Sequence, residues 1–187
     1  MKKLCVLLAV VGCLIGVASA NAVDWTFTAK VTKTQAATAV DMAGWTAYLV
    51  GVSDWDTSDT TASLGKAVTS ADVAKLSGDW GTSTYTVTTG TKSLTVSDAA
   101  GASMTYQMIL SDGSKYLDAG TVTGTVYDPT DPSSVGTAMT KTLQGSTGYP
   151  QASALKSMTG GGDVPEPTSG LLLLVGGAML ALRRKQK

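Results

Sequence analysis

The chain of 187 residues contains no histidine, only two cysteines, one phenylalanine and five prolines. Its single glutamate, Glu166, and its two arginines, Arg183 and Arg184, lie near the C-terminus, so residues 21–163 hold no Glu, Arg or His. Each absence removes a chemistry. Without histidine there is no Ser–His nucleophile pair. A zinc site built on imidazole is excluded on the same ground. The formal charge of zero hides an asymmetry, because Lys2, Lys3, Arg183, Arg184, Lys185 and Lys187 sit at the two ends. Residues 21–163 carry thirteen Asp against eight Lys, a balance of −5. A mildly acidic body without arginine points away from nucleic acid as a partner.

The N-terminus reads as a secretory signal peptide over residues 1–20. Met1-Lys2-Lys3 is cationic, Leu4 to about Val17 is apolar, and Ala18-Ser19-Ala20 supplies the small residues that precede a cut. Cleavage is expected after Ala20, with Ala22 as the alternative. A lipobox at Val10-Val11-Gly12-Cys13, with lipid on Cys13, competes with this reading. Against it, the apolar run continues through Leu14-Ile15-Gly16-Val17. Cleavage after Ala20 removes both cysteines, leaving neither disulfide nor thiol nucleophile.

No long hydrophobic run is present at the other end either. Residues 170–182 lack charge, but thirteen residues cover only about 20 Å as a helix, against a hydrocarbon core of ~30 Å. A buried core helix ending in Arg183-Arg184-Lys185-Gln186-Lys187 would have no polar face. A marginal membrane helix with its basic tail, residues 183–187, in the cytoplasm fits better. Pro165 and Pro167 bracket Glu166 and keep the stretch before it extended. Val164-Pro165-Glu166-Pro167, an apolar run and an Arg-rich end resemble the PEP-CTERM sorting signal of Gram-negative bacteria, over residues 164–187 only. That resemblance implies Pro165, Glu166 and Pro167 as the sorting motif. It also implies an integral-membrane exosortase as processing partner and a cell-surface or extracellular-matrix destination, with extracellular polysaccharide as a further partner. The Gram-positive sortase pattern Leu-Pro-x-Thr-Gly is not met by Glu166-Pro167-Thr168-Ser169-Gly170.

The body, residues 21–159, is followed by a Gly-rich linker at 160–163 expected to act as a flexible spacer. Of the 143 residues from 21 to 163, 43 are Ser or Thr, a composition that also suits a disordered or glycosylated stalk. Placement argues for a fold. Residues 25–32, 84–88, 93–97 and 121–127 alternate threonine with apolar residues, the period of a half-buried strand. Residues 45–50 and 104–110 are richer in large apolar side chains, and Tyr106 and Ile109 are expected in the core. Asp112-Gly113 marks a hairpin. Ser70–Leu76 reads as one short helix, with Ser70 as N-cap and Gly78 beyond its end. The expected fold is all-β: a single β-sandwich-like domain of short antiparallel strands.

Candidate sites are few. Asp54-Trp55-Asp56-Thr57-Ser58-Asp59 is the densest acidic stretch. An EF-hand loop from Asp54 would need glycine where Asp59 stands and glutamate where Gly65 stands. Asp56-Thr57-Ser58 matches an aspartic-protease triplet, but no second triplet exists in the body to share the proton. A glycosidase pair needs two carboxyls with separated pKa values, and nothing selects one among thirteen aspartates. Trp25 and Trp45 continue strand patterns and belong to the core. Trp55 and Trp80 sit in polar, Asp-flanked stretches, where each either stacks on a sugar or folds back as a lid. No catalytic, cofactor or metal site is expected. The leading reading is a non-catalytic surface or matrix protein, followed by a carbohydrate-binding module using Trp55 or Trp80, then a small Asp-based secreted hydrolase.

Overall fold

A computed structural model of the protein describes residues 20–160. The apolar signal run, Cys13, the sorting motif Pro165–Pro167 and the segment 170–187 lie outside the described residues. Among those described, no helix is long and apolar enough to cross a membrane.

The longest early strand, β1 (Asn21–Val31), sets the architecture. Val23, Trp25, Phe27, Ala29 and Val31 alternate inward and are at most 3% exposed, while Asp24, Thr26, Thr28 and Lys30 face outward. On one side β1 pairs antiparallel with β5 (Tyr85–Thr88) and then β6 (Lys92–Val96). On its other side it pairs in parallel with β9 (Met139–Leu143). Because β9 shares β1 residues with both β5 and β6, those two must lie on the same flank. They are one strand interrupted by a bulge: Thr89, Gly90 and Thr91 face only Thr26 and Phe27 of β1. At the break, the Thr89 hydroxyl accepts from the Phe27 N–H at 3.0 Å, and the Thr89 N–H donates to the Phe27 carbonyl at 3.1 Å. The hydroxyl thus replaces the backbone acceptor that the bulge displaces.

The second sheet has the order β10-β8-β7-β2-β3, comprising β2 (Thr46–Gly51), β3 (Thr69–Asp72), β7 (Ser103–Ser111), β8 (Lys115–Thr125) and the two-residue β10 (Lys156–Ser157). All its pairings are antiparallel. Ala47, Leu49, Met108, Leu110, Leu117 and Val122 face the inward side chains of β1, and the two sheets close over one core. The result is an all-β, sandwich-like domain. A register shift on β8 makes Ala119 an extra residue, so the inward positions change parity from Leu117 and Ala119 to Val122. Trp25 and Phe27, both 0% exposed, each contribute about 2–3 kcal/mol by burial.

The stretch expected as a helix at Ser70–Leu76 is instead two strands. β3 pairs with β2 in the second sheet, and β4 (Ala74–Ser77) pairs with β5 in the first. The chain changes sheets at Val73, which is 1% exposed and exchanges both backbone hydrogen bonds with residues 44 and 45 at 2.8 Å. Ladder bonds and a buried valine outweigh the weak helical signal of a Ser cap. A short helix does lie earlier, at α1 (Thr60–Gly65), where the Asp59 carboxylate accepts from the Ala62 N–H at 3.0 Å. The expected hairpin at Asp112-Gly113 does join β7 to β8. Its turn, however, centres on Gly113-Ser114, with Gly113 alone at positive φ (91°) and Asp112 accepting from the Ser114 and Lys115 N–H groups.

The outer face of the second sheet is also covered. Val50, Ile109 and Tyr116 are buried there beneath Trp55, Leu64, Ala67 and Met158. The last described segment closes this layer. Thr159 donates from its N–H to the buried Thr60 hydroxyl at 2.7 Å, and its carbonyl accepts from the Thr61 N–H at 3.0 Å. Gly160 follows at φ +84°, so close to Asp59 that a Cβ would lie 1.8 Å from its Oδ1. Gly160 is therefore pinned to α1, and any free spacer starts no earlier than residue 161.

Tyr106, expected in the core, is only half-buried, whereas Ile109 is 0% exposed. Ile109→Asp should abolish the cooperative thermal transition, since an unpaired buried carboxylate costs several kcal/mol against a total stability of ~5–15 kcal/mol. Tyr106→Asp should be milder, leaving a lowered but visible melt by circular dichroism.

Candidate functional site

The acidic stretch is used by the fold itself. Asp56 accepts from the Ser58 N–H at 2.8 Å and from the Ser58 hydroxyl at 2.7 Å. The buried Ser63 hydroxyl in turn accepts from the Asp56 N–H at 2.9 Å. Asp59 caps α1. The same local turn recurs at Asp112/Ser114, Asp128/Thr130 and Asp131/Ser133, where one carboxylate oxygen takes both the N–H and the hydroxyl two residues on. The Ser58 N–H, then its hydroxyl, hold the Asp56 carboxyl below its ordinary range. For Asp131 the Ser133 hydroxyl and N–H do so. Slight burial opposes the shift at Asp112, but hydrogen bonds from Lys115 and Ser114 outweigh it. The Asp56-Thr57-Ser58 triplet is thus a self-capped turn. Among the described residues no group of three or more His, Cys, Asp or Glu is placed to hold a metal ion.

Trp55 and Trp80 turn into the protein. Trp55 meets Tyr116 edge to face, centroids 5.4 Å apart, and its Nε1 is buried without an acceptor among the described residues. Trp80 meets Tyr85 at 5.4 Å and 88°, packed against the main core. Both tryptophans are half-buried, and each meets its tyrosine edge to face. Both act as lids, while Trp25 and Trp45 are core residues as expected.

A concave site appears where the sequence offered no signal. β8 and β9 are joined by backbone hydrogen bonding near Thr125 and Thr137 (2.9 Å) and part beyond it. The wedge is closed by α2 (Gly145–Gly148) and the chain from Tyr149 to the 3-10 turn Ala152–Ala154. It leaves a cleft of about 180 Å³. Leu117 and Ala119 form its floor, and Leu143, Tyr149, Pro150 and Ala154 stand around it. Lys141, Asp118 and Gln151 bring polar groups to it. These residues come from two separate stretches of chain, 117–119 and 141–154, which is why no local motif could mark them.

Ala20, the expected cleavage position, is exposed and directly precedes β1. Comparison with known proteins finds no matching family model, no matching curated protein and no matching solved structure.

Tyr85, the ring that Trp80 meets, gives the fold a pH-dependent readout. Burial, the Asp41 carboxylate at its hydroxyl and the nearby charge of Asp79 push its pKa from 10.0 to about 12. The folded state thus holds this proton more tightly than the unfolded chain. The contribution is complete below pH ~10 and is lost as pH rises from ~10 to ~12. Thermal melts should show the Tm falling across that window, with a smaller fall in Tyr85→Phe.

Proposed function

We propose that the protein is exported, held transiently in the inner membrane by residues 170–182, and released to the cell surface or extracellular matrix after exosortase processing at Pro165-Glu166-Pro167. The body serves there without a catalytic role. The observation that supports this reading is that β1 begins at Asn21, directly after Ala20. Asn21 pairs with Val96, and Ala22 pairs with Thr95 and exchanges hydrogen bonds of 2.9 and 2.8 Å with Tyr127. A cut after Ala20 leaves the whole of β1, from Asn21, in place. A cut after Ala22 would strip a buried residue and two backbone bonds from β1, which favours Ala20 over Ala22. At the other end, Thr159 and Gly160 are the last described contacts, and the sorting motif begins five residues further on at Pro165. Processing there would leave every described contact intact.

Mass spectrometry of the surface fraction from the native host should find a chain that starts at Asn21 and lacks Leu171–Lys187. Replacing Pro165, Glu166 and Pro167 with alanine should leave a precursor in the inner membrane. Residues 161–187, fused to an unrelated exported protein, should transfer processing. A surface protein that keeps Arg183 and Arg184 would mean that the tail is a plain anchor.

A further inference from the structure

The outer edge of β6 is unpaired, and its charges complement one another. Phe27 bonds through both its N–H and its carbonyl to Thr89, so the odd residues of β1 turn their backbone groups toward β5 and β6. Asn21, Val23 and Trp25 lie opposite Val96, Leu94 and Lys92, which therefore spend their N–H and carbonyl groups on β1. Ser93, Thr95 and Ser97 point theirs the other way, where no strand lies among the described residues. β4 covers β5 no further than Thr88. The alternation runs on past β6, because the Asp98 carbonyl accepts from the Asn21 side-chain amide at 2.7 Å.

Side chains follow the same rule. Leu94 lies opposite inward-facing Val23, and both Leu94 and Val96 are half-buried against the main core. Lys92, opposite Trp25, shares that side of the sheet at one end of the strand. Asp98 shares it at the other end: burial first, and then the Asp98 charge, push the pKa of Tyr106 up, and Tyr106 packs against the same core. Lys92 and Asp98 are both exposed, and neither side chain has a hydrogen bond or ion pair among the described residues, whose one salt bridge is Lys75–Asp79. A bare edge is a template for pairing, and an inward-pointing lysine guards against it. The β4 edge is guarded by its bulge after Lys75 and by the Lys75–Asp79 pair. On β6 the guard fails in one register, because Asp98 lies as far beyond Thr95 as Lys92 lies before it.

We propose that two copies of the chain pair antiparallel through β6, about a two-fold axis at Thr95, joining their β1 sheets into one. Ser93 then faces Ser97 of the second copy and Thr95 faces its own counterpart, so the free N–H and carbonyl groups of all three are satisfied. Leu94 packs beside Val96 of the second copy and carries the core row across the joint. Lys92 lies opposite Asp98 of the second copy at both ends of the ladder. Sliding one copy by two residues sets Lys92 against Val96 or Ala100 instead, so the charges select the register. The contact is isologous, which uses up both edges and closes the assembly at two copies. An edge-to-edge ladder buries little surface, and the association is therefore reversible. The inference does not rest on the sorting reading, because β6 belongs to the body whether or not the tail is processed.

The test is sedimentation velocity of the full chain in a polyoxyethylene detergent at rising protein concentration, joined to cysteine cross-linking. A dimer should form, and Lys92→Asp and Asp98→Lys should each weaken it at least about tenfold with the Tm of the monomer unchanged. The double variant, with the two charges exchanged, should restore it to within about threefold of the original. On a Cys5→Ser, Cys13→Ser background, Thr95→Cys should oxidise to a covalent dimer, since residues that exchange both ladder bonds stand ~5.5 Å apart, within disulfide reach. Ser70→Cys, exposed on β3 at the edge of the second sheet, should not. A monomer at every concentration, a dimer indifferent to Lys92→Asp, or a double variant no tighter than the single ones would each overturn the proposal. So would cross-linking of Ser70→Cys as fast as that of Thr95→Cys.

Discussion

The alternation of β1 is the constraint on which the rest of the molecule depends. Its inward row from Val23 to Val31 presents two large rings, Trp25 and Phe27, at 0% exposure, and both sheets are arranged to cover them. A one-residue slip of this strand would exchange Trp25 and Phe27 for Thr26 and Thr28. The partners of β1 absorb the irregularities instead. The β5–β6 strand bulges at Thr89–Thr91, and β8 bulges at Ala119, each keeping the apolar side chains on the core side after the break. The bulge on β8 also creates the space above Gly120 into which Lys141 projects. Core packing and cleft geometry are in this sense consequences of one register.

The odd composition has a physical rationale in the turns. Asp is short enough for its carboxylate to accept from its own backbone two residues on, and Glu is one methylene too long for that geometry. Four Asp-x-Ser/Thr turns use this device in the described residues, with the hydroxyl reinforcing the N–H each time. A body with thirteen Asp and no Glu therefore carries much of its acidity as turn chemistry. The same hydroxylated residues bond across strands, as in Thr28–Thr88 at 3.3 Å and Thr105–Thr123 at 2.9 Å.

The strands that could be read from the sequence were those with threonine against apolar residues at period two: β1, β5, β6 and the end of β8. β2 and β7 were legible from their apolar content. Ser70–Leu76 was misread because a serine cap and a following glycine look alike before a helix and at a sheet change. Only the pairing partners of Val73, in two different sheets, separate the two. β9 was invisible, since Met-Thr-Lys-Thr-Leu puts a lysine at an inward position. That same lysine marks the cleft, so the feature that hid the strand is the one that gives the site its charge. The orientations of Trp55 and Trp80 were not legible either, because Tyr116 and Tyr85, which hold them, belong to other strands.

The two ends of the packed body lie at opposite poles. β8 starts beside β10 and Met158, whose N–H donates to the Ser114 carbonyl at 2.9 Å, and it ends next to Tyr127, which bridges to Ala22. Eleven residues of strand at ~3.3 Å each separate those points by roughly 35 Å. On the proposed reading, the signal peptide leaves from one pole and the sorting segment from the other. A body held through its C-terminal side would then stand with the start of β1 pointing away from the membrane. Thr159, bonded to Thr60 and Thr61, makes this orientation a property of the fold, because a tether attached there pulls on α1 and the second sheet together. Only four residues, 161–164, separate Gly160 from Pro165, a reach of at most about 17 Å. On the proposed reading, a processing enzyme in the bilayer would work close beneath the folded domain, and the clamp at Thr159 would limit how much further chain can be drawn out for it.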